Sequence, residues 1–147
     1  MKAPSAAIVV DAAILIAAVH GRSSGALRYV ASRVSLLATE RVAEEARRRI
    51  ALGLKRPELL GVLDDLVGLM AVVPMADIEP LLADGEAFLR DAVASRNGTT
   101  RDAHVLALAW SVDGDVWTTD RDFAGTGVAT WSTPNLIHAL AQADPRA

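Results

Sequence analysis

The stretch AAIVVDAAILIAAV, residues 6–19, joins two apolar runs through a single aspartate, Asp11. The β-branched residues before Asp11 favour a buried strand, and the alanines and leucine after it favour a helix. A strand that leads directly into a helix is typical of an α/β fold. A carboxylate is rarely buried without a partner, so Asp11 is the strongest candidate for a functional residue. Capping the helix that starts at Ala12 is its structural alternative, and that role is compatible with binding a cation.

Strand and helix signals alternate along the rest of the chain. Strands are predicted at about 6–10, 34–37, 70–75, 115–119 and 128–131, and helices at about 12–20, 24–32, from 39, 57–69, 77–94, 101–112 and from 133. This alternation predicts one domain over residues 1–147 with a doubly wound, mostly parallel sheet and helices on both faces. Ligands of such sheets bind beyond the carboxyl ends of strands, near the point where the strand order reverses. Asp11 and Asp120 each follow a strand, so we expect them on that rim.

The composition excludes several classes of protein. The chain has 147 residues, a hydrophobic fraction of 52% and no cysteine. A disordered chain, a zinc–thiolate site and a thiol nucleophile are therefore excluded. Asp11 interrupts the apolar amino-terminal stretch, and no other apolar run reaches transmembrane length, so we expect a soluble, cytoplasmic protein. The net charge of −3 neither supports nor excludes RNA as a substrate.

Two further acids lie in predicted helices. Asp102 shares a helical face with apolar residues at the i+3, i+4, i+7 and i+8 positions, which places it at the head of a buried stripe. Its alternative is an acid favoured by the helix dipole. Glu45 follows Val42 by one turn on the same face, which favours it over Glu44. Both glutamates also have an arginine four residues later, and spacing alone favours a surface ion pair for each.

Two more aspartates follow the fourth predicted strand, in the segment TTDRDF at 118–123. Asp120 is preferred because it lies nearer the strand end, with Asp122 as an auxiliary. Hard carboxylate oxygens of this kind suit Mg²⁺ or Mn²⁺. The three histidines, His20, His104 and His138, lack metal-ligand spacing, and solvent-facing or helix-terminal roles are favoured for them. The run of arginines at 47–49 fits a solvated helix face, with phosphate contact as the alternative.

With these acids placed, the chain resembles PIN-domain nucleases, the fold of the toxin ribonucleases in VapBC-type toxin–antitoxin pairs. The resemblance runs through IVVDAAILIAAV, ATERVAEEARRRI and RDAHVLALAWSVDGDVWTTDRDFAGTGVATWSTPNLI. The most specific part is the last, with an Asp-headed helix, a short strand and T-D-R-D-F. The resemblance assigns metal ligation and catalysis to four acids and auxiliary metal ligation to a fifth: Asp11, Glu45, Asp102 and Asp120, with Asp122. Many members carry Asn or Ser where this chain has Ala13, so a hydrogen bond that supports the metal ligand in those members is absent here.

The resemblance implies a Mg²⁺- or Mn²⁺-dependent endoribonuclease that forms a homodimer and is inhibited by an antitoxin protein. Two other readings stay open: a PIN-like module that binds RNA or protein without catalysis, and an RNA-processing nuclease that is not a toxin. A receiver domain is rejected because it needs a lysine after a late strand, and the only lysines are Lys2 and Lys55. A haloacid-dehalogenase-type phosphatase is rejected because it needs a second aspartate at the position of Ala13.

Overall fold

The central sheet is parallel throughout. The computed structural model describes residues 3–21, 24–90, 102–119, 123 and 126–143. In these ranges the strands are β1 (Ala7–Val10), β2 (Ser35–Thr39), β3 (Ala71–Val73), β4 (Asp115–Trp117) and β5 (Thr130–Trp131). They form one sheet in the order β3-β2-β1-β4-β5, and every neighbouring pair is parallel. The predicted α/β fold with a doubly wound parallel sheet is confirmed.

Helices connect the strands. They are α1 (Ala12–Val19), α2 (Ser24–Ala31), α3 (Glu40–Arg48), α4 (Leu60–Val67), α5 (Met75–Arg90), α6 (Ala103–Val112) and α7 (Thr133–Ala143). A π-helical turn, Arg49–Gly53, continues α3, and a 3₁₀ turn, Pro57–Leu59, precedes α4. None of the helices within the described ranges is long and apolar enough to cross a membrane.

Several predicted boundaries were wrong by about two residues. The third strand ends at Val73 and the fourth at Trp117, and the fifth begins at Thr130. The second strand continues to Thr39, where the prediction ended it at 37. Helix α5 starts at Met75, before the predicted start at 77, because the Glu40 carboxylate accepts a hydrogen bond from the Met75 amide at 2.6 Å. This contact satisfies an amide that has no partner inside the helix, and it joins residues far apart in sequence.

The core lies on both sides of β1, the central strand. Ile8, Val9 and Val10 are fully buried, as expected for a strand of a parallel sheet covered on both faces. Helix α6 is buried from Ala103 to Ala109, which explains its almost continuous apolar sequence. Trp117 and Trp131 are buried, as predicted for core tryptophans, and Trp110 is half-buried.

The strand order reverses at β1, because β2 and β3 lie on one side of it and β4 and β5 lie on the other. Asp11 directly follows β1, and its backbone N–H donates to the Trp117 carbonyl at the end of β4, at 3.1 Å. The crevice at such a reversal is the usual ligand site of a doubly wound sheet. The fold therefore places Asp11 where the sequence predicted it.

The opposite end of the same strand pair is tightly packed. Gly114 immediately precedes β4, and a Cβ atom at this position would lie 2.7 Å from the Ala7 carbonyl oxygen. Beside it, the buried Asp115 carboxylate accepts hydrogen bonds from the Ser5 amide and the Trp131 indole, each at 2.9 Å. These contacts hold the start of the chain and β5 to the sheet, away from the crevice.

Candidate active site

Asp11 is held by hydrogen bonds on both carboxylate oxygens. The residue is 7% exposed and occupies the N-cap position of α1. Its Oδ1 accepts from the Ala12 amide and its Oδ2 from the Thr118 hydroxyl, both at 2.7 Å. The capping role foreseen for Asp11 is therefore real. These two bonds fix the orientation of the carboxylate at the head of α1.

Three of the predicted acids line one cleft at the carboxyl rim of the sheet. The cleft has a volume of about 460 Å³. Its acidic members are Asp11 after β1, Glu45 on α3 and Asp102 before α6. Residues 11, 45 and 102 are far apart in sequence, and the sheet topology brings them together.

Glu45 and Glu44 differ in the way that the helical-face argument predicted. Glu45 is half-buried and lines the cleft, whereas Glu44 is exposed and lies outside it. The reason is the orientation of α3, whose Val42 and Ala46 are its buried residues. In the described part of the chain, no ion pair joins Glu45 to Arg49, so the surface-pair alternative is not realised.

Asp102 stands directly before α6 and is half-buried. Its side chain makes no capping hydrogen bond to the helix. Asp102 lines the cleft from the head of α6, a position that the helix dipole also favours for an acid. The roles of Asp11, Glu45 and Asp102 as metal ligands stay predictions.

The last two predicted acids, Asp120 and Asp122, lie outside the described residues. Thr118 shows that the segment leading to them leaves β4 beside Asp11, because its hydroxyl bonds the Asp11 carboxylate. Among the described residues, no three acidic, histidine or cysteine side chains are grouped closely enough to hold a metal ion. Asp11, Glu45 and Asp102 thus share a cleft without forming a complete ligand set by themselves.

The three arginines at 47–49 have two different surroundings. Arg47 forms an ion pair with Asp64 on α4, as a solvated helix face would. Arg48 and Arg49 line the cleft together with Arg41, and all three are exposed. Three guanidinium groups beside three carboxylates can attract a phosphate despite the negative net charge of the chain.

His104, like Arg41, lines the cleft and was not predicted from the sequence. It is 2% exposed, lines the cleft, and lies with its Nδ1 2.7 Å from the Thr39 hydroxyl oxygen. Burial, and secondarily the nearby positive Arg41, lowers the pKa of His104 to about 4. The solvent-facing role considered for the histidines is wrong for His104, although its position in the first turn of α6 is helix-terminal. Its position two residues after Asp102 was the available signal.

The fold is an α/β fold in which acidic side chains line a cleft at the reversal of strand order. A family model for the PIN domain matches residues 9–141, a range that includes every predicted site residue. The chain belongs to the PIN-domain family.

Two solved structures share this fold at low sequence identity. One is VapBC2 from Rickettsia felis, bound to a DNA fragment from their promoter, with a TM-score of 0.66 and 12% identity over 86% of this chain and 98% of that chain. The other is FitAcB from Neisseria gonorrhoeae, with a TM-score of 0.63 and 20% identity over 88% of this chain and 99% of that chain. No curated protein matches the chain.

Proposed function

We propose that this protein is a Mg²⁺- or Mn²⁺-dependent endoribonuclease and the toxin of a toxin–antitoxin pair. The observation that carries the proposal is the convergence of Asp11, Glu45 and Asp102 on one cleft at the strand-order reversal. Membership of the PIN-domain family supports a nuclease, and the likeness to VapBC2 supports a toxin.

The chemistry of the acids in the cleft suits a divalent cation of the hard type. Its acidic side chains offer only oxygen ligands, and Mg²⁺ commonly uses one or two carboxylates and fills its remaining positions with water and substrate phosphate. Asp11, Glu45, Asp102 and Asp120 would hold the ion, with Asp122 as an auxiliary ligand. When bound, the cation lowers the pKa of a water molecule and offsets charge on the phosphate.

The side chains on the rim of the cleft orient the RNA. Arg41, Arg48 and Arg49 provide positive, donor-rich groups for phosphates on either side of the scissile bond. Hydrolysis would join the water oxygen to phosphorus and break the bond from phosphorus to the 3′ oxygen, which takes up a proton. The products are a 5′-phosphate and a 3′-hydroxyl.

Replacing Asp102 by Asn tests the site with little change in shape. We expect Asp102→Asn to abolish Mn²⁺-dependent cleavage of single-stranded RNA and to leave the fold intact, because asparagine keeps the shape and hydrogen-bonding capacity of the side chain while removing its charge. Asp65→Asn on the exposed face of α4 is the matched control and should cleave like wild type. Wild-type activity in Asp102→Asn would refute the proposed site. Wild-type protein that binds RNA and never cleaves it would instead support the non-catalytic PIN module.

We further propose an antitoxin partner and a homodimer. Beside the cleft, Ala13, Ile16 and Ala17 of α1 line a groove with Leu54, which is 48% exposed, and Leu52 nearby is 72% exposed. Apolar side chains this exposed favour a protein contact. Co-purification of the product of a neighbouring gene, with loss of RNA cleavage, tests the antitoxin, and its absence would favour an RNA-processing nuclease.

Light scattering tests the dimer, and a monomer at high concentration would refute it.

A further inference from the structure

A buried pair of uncharged side chains connects the two helices that carry the cleft acids. Thr39 caps α3, which bears Glu45, and its hydroxyl oxygen accepts from the Val42 amide at 3.0 Å. The same oxygen lies 2.7 Å from Nδ1 of His104, in the first turn of α6. Thr39 is fully buried and His104 is 2% exposed, so water does not replace this contact.

The hydrogen bonds of Thr39 determine the tautomer of His104. A threonine hydroxyl has one proton to donate and two lone pairs. The Val42 amide occupies one lone pair. Within the described part of the chain, His104 Nδ1 is the only acceptor within reach of the hydroxyl proton, and a buried hydroxyl without an acceptor is costly. Thr39 therefore donates to Nδ1, which carries no proton.

The ring proton of His104 must then be on Nε2, because a neutral imidazole carries its proton on one nitrogen or the other. No described residue accepts a hydrogen bond from Nε2. His104 lines the cleft together with Arg41, Arg48 and Arg49, whose charge attracts phosphate. Nε2–H is therefore a donor without an acceptor among the described residues, on a side chain that lines a cleft containing three arginines.

We propose that His104 is a fixed neutral hydrogen-bond donor that binds a phosphate oxygen of the RNA through Nε2–H. The inference rests on the proposed ribonuclease function and adds a substrate contact to it. Nε2 has no lone pair to accept a proton from water, so His104 is not a general base here. Because the ring is uncharged, the hydrogen bond from His104 would strengthen RNA binding without releasing a counterion, whereas a contact from an arginine would release one.

The tautomer is tested first, on wild-type protein without metal or RNA. Long-range ¹H–¹⁵N correlation spectra at neutral pH should show a pyridine-type Nδ1 and a pyrrole-type Nε2 for His104. The reverse pattern overturns the proposal. This measurement does not depend on nuclease activity, so it separates the inference from the proposed function.

Binding is tested with two matched replacements. The amide oxygen of Asn lies about where Nδ1 lies and can accept from Thr39, but His104→Asn has no group at the position of Nε2. His104→Gln reaches the position of Nε2 and loses the acceptor for Thr39. The probe is a short fluorescein-labelled single-stranded oligoribonucleotide, followed by anisotropy in EDTA so that no cleavage occurs. His138→Asn, on the exposed face of α7, is the control.

We expect His104→Asn to keep the wild-type melting temperature and to weaken binding about 10- to 100-fold, the effect of one hydrogen bond to a charged group. The slope of log Kd against log salt should stay at the wild-type value, whereas Arg48→Gln should lower it by about 0.7. His104→Gln should melt earlier and bind more tightly than His104→Asn.

Three outcomes are decisive against the inference. Wild-type RNA affinity in His104→Asn overturns it and leaves the nuclease proposal standing. Weaker binding in His104→Gln than in His104→Asn overturns it in favour of a purely structural link to Thr39. If the wild-type protein neither binds nor cleaves RNA, the proposed function is overturned. The proposal that His104 donates to a phosphate oxygen of RNA is then overturned as well.

Discussion

The hydrogen bond between Thr118 and Asp11 allows a direct test of how the candidate metal ligand is oriented. The Thr118 hydroxyl donates to Asp11 Oδ2 at 2.7 Å, and the two residues are 4% and 7% exposed. Thr118→Val replaces the hydroxyl by a methyl group of similar size. A hydrogen bond to a charged group contributes about 1.5–3 kcal/mol, and losing a partner that orients a ligand lowers metal affinity or activity about 10- to 100-fold.

The assay is the Mn²⁺ dependence of RNA cleavage at a fixed RNA concentration. We expect Thr118→Val to need about 10- to 100-fold more Mn²⁺ for half-maximal activity, because Asp11 loses a bond that orients its carboxylate. Thr118→Ser keeps the hydroxyl and is the matched control, with an expected Mn²⁺ requirement close to wild type. Isothermal titration of the RNA-free protein with Mn²⁺ should show the same order of affinities.

Either of two results would refute this reasoning. If Thr118→Val and Thr118→Ser need the same Mn²⁺ concentration as wild type, the hydrogen bond does not orient a metal ligand. If Thr118→Val loses activity at all Mn²⁺ concentrations while binding Mn²⁺ normally, Thr118 acts on the substrate rather than through Asp11.

The remaining predictions concern the acids, the packing and the pH dependence. Glu45→Gln should largely remove RNA cleavage and Glu44→Gln should leave it near wild type, because only Glu45 lines the cleft, and equal effects would contradict the helical-face argument. Gly114→Ala should lower the free energy of unfolding in urea by about 1–3 kcal/mol, since the new Cβ would meet the Ala7 carbonyl oxygen at 2.7 Å, whereas Gly25→Ala, with open space, should not. The pKa of His104 is 6.5 in the unfolded protein and about 4 in the folded protein. The free energy of unfolding of the metal-free protein should therefore fall by up to about 3 kcal/mol between pH 6.5 and pH 4, and that of His104→Asn should fall less.

The fold could be predicted because its signals are local. The β-branched residues of β1, the N-cap Thr39 and the Thr133–Pro134 start of α7 each indicate their element within a few residues. Asp11 was predictable for the same reason, since a single acid between two apolar runs needs only its neighbours to be noticed. Boundaries failed where a distant contact decides them, as at Met75, whose amide is capped by Glu40.

The site could be predicted only in part because it is made of residues that are close in space and distant in sequence. Predicting Glu45 required the orientation of α3, which Val42, one turn earlier on the same face, indicated. The signal for His104 was weaker, namely its position two residues after Asp102, because its partner Thr39 lies 65 residues earlier. The spacing rules for histidine look for other metal ligands, and a hydroxyl partner does not meet them.

The same contacts explain how a cleft lined by several carboxylates can be held together. Carboxylates near one another repel, so the acids alone would separate the helices that carry them. Uncharged hydroxyls oppose this repulsion: Thr39 joins the head of α3 to His104 on α6, and Thr118 holds Asp11 against the end of β4. Both contacts are buried, where a lost hydrogen bond is not recovered from water. The relative position of α3, α6 and Asp11 therefore depends in part on two buried threonines that bear no charge.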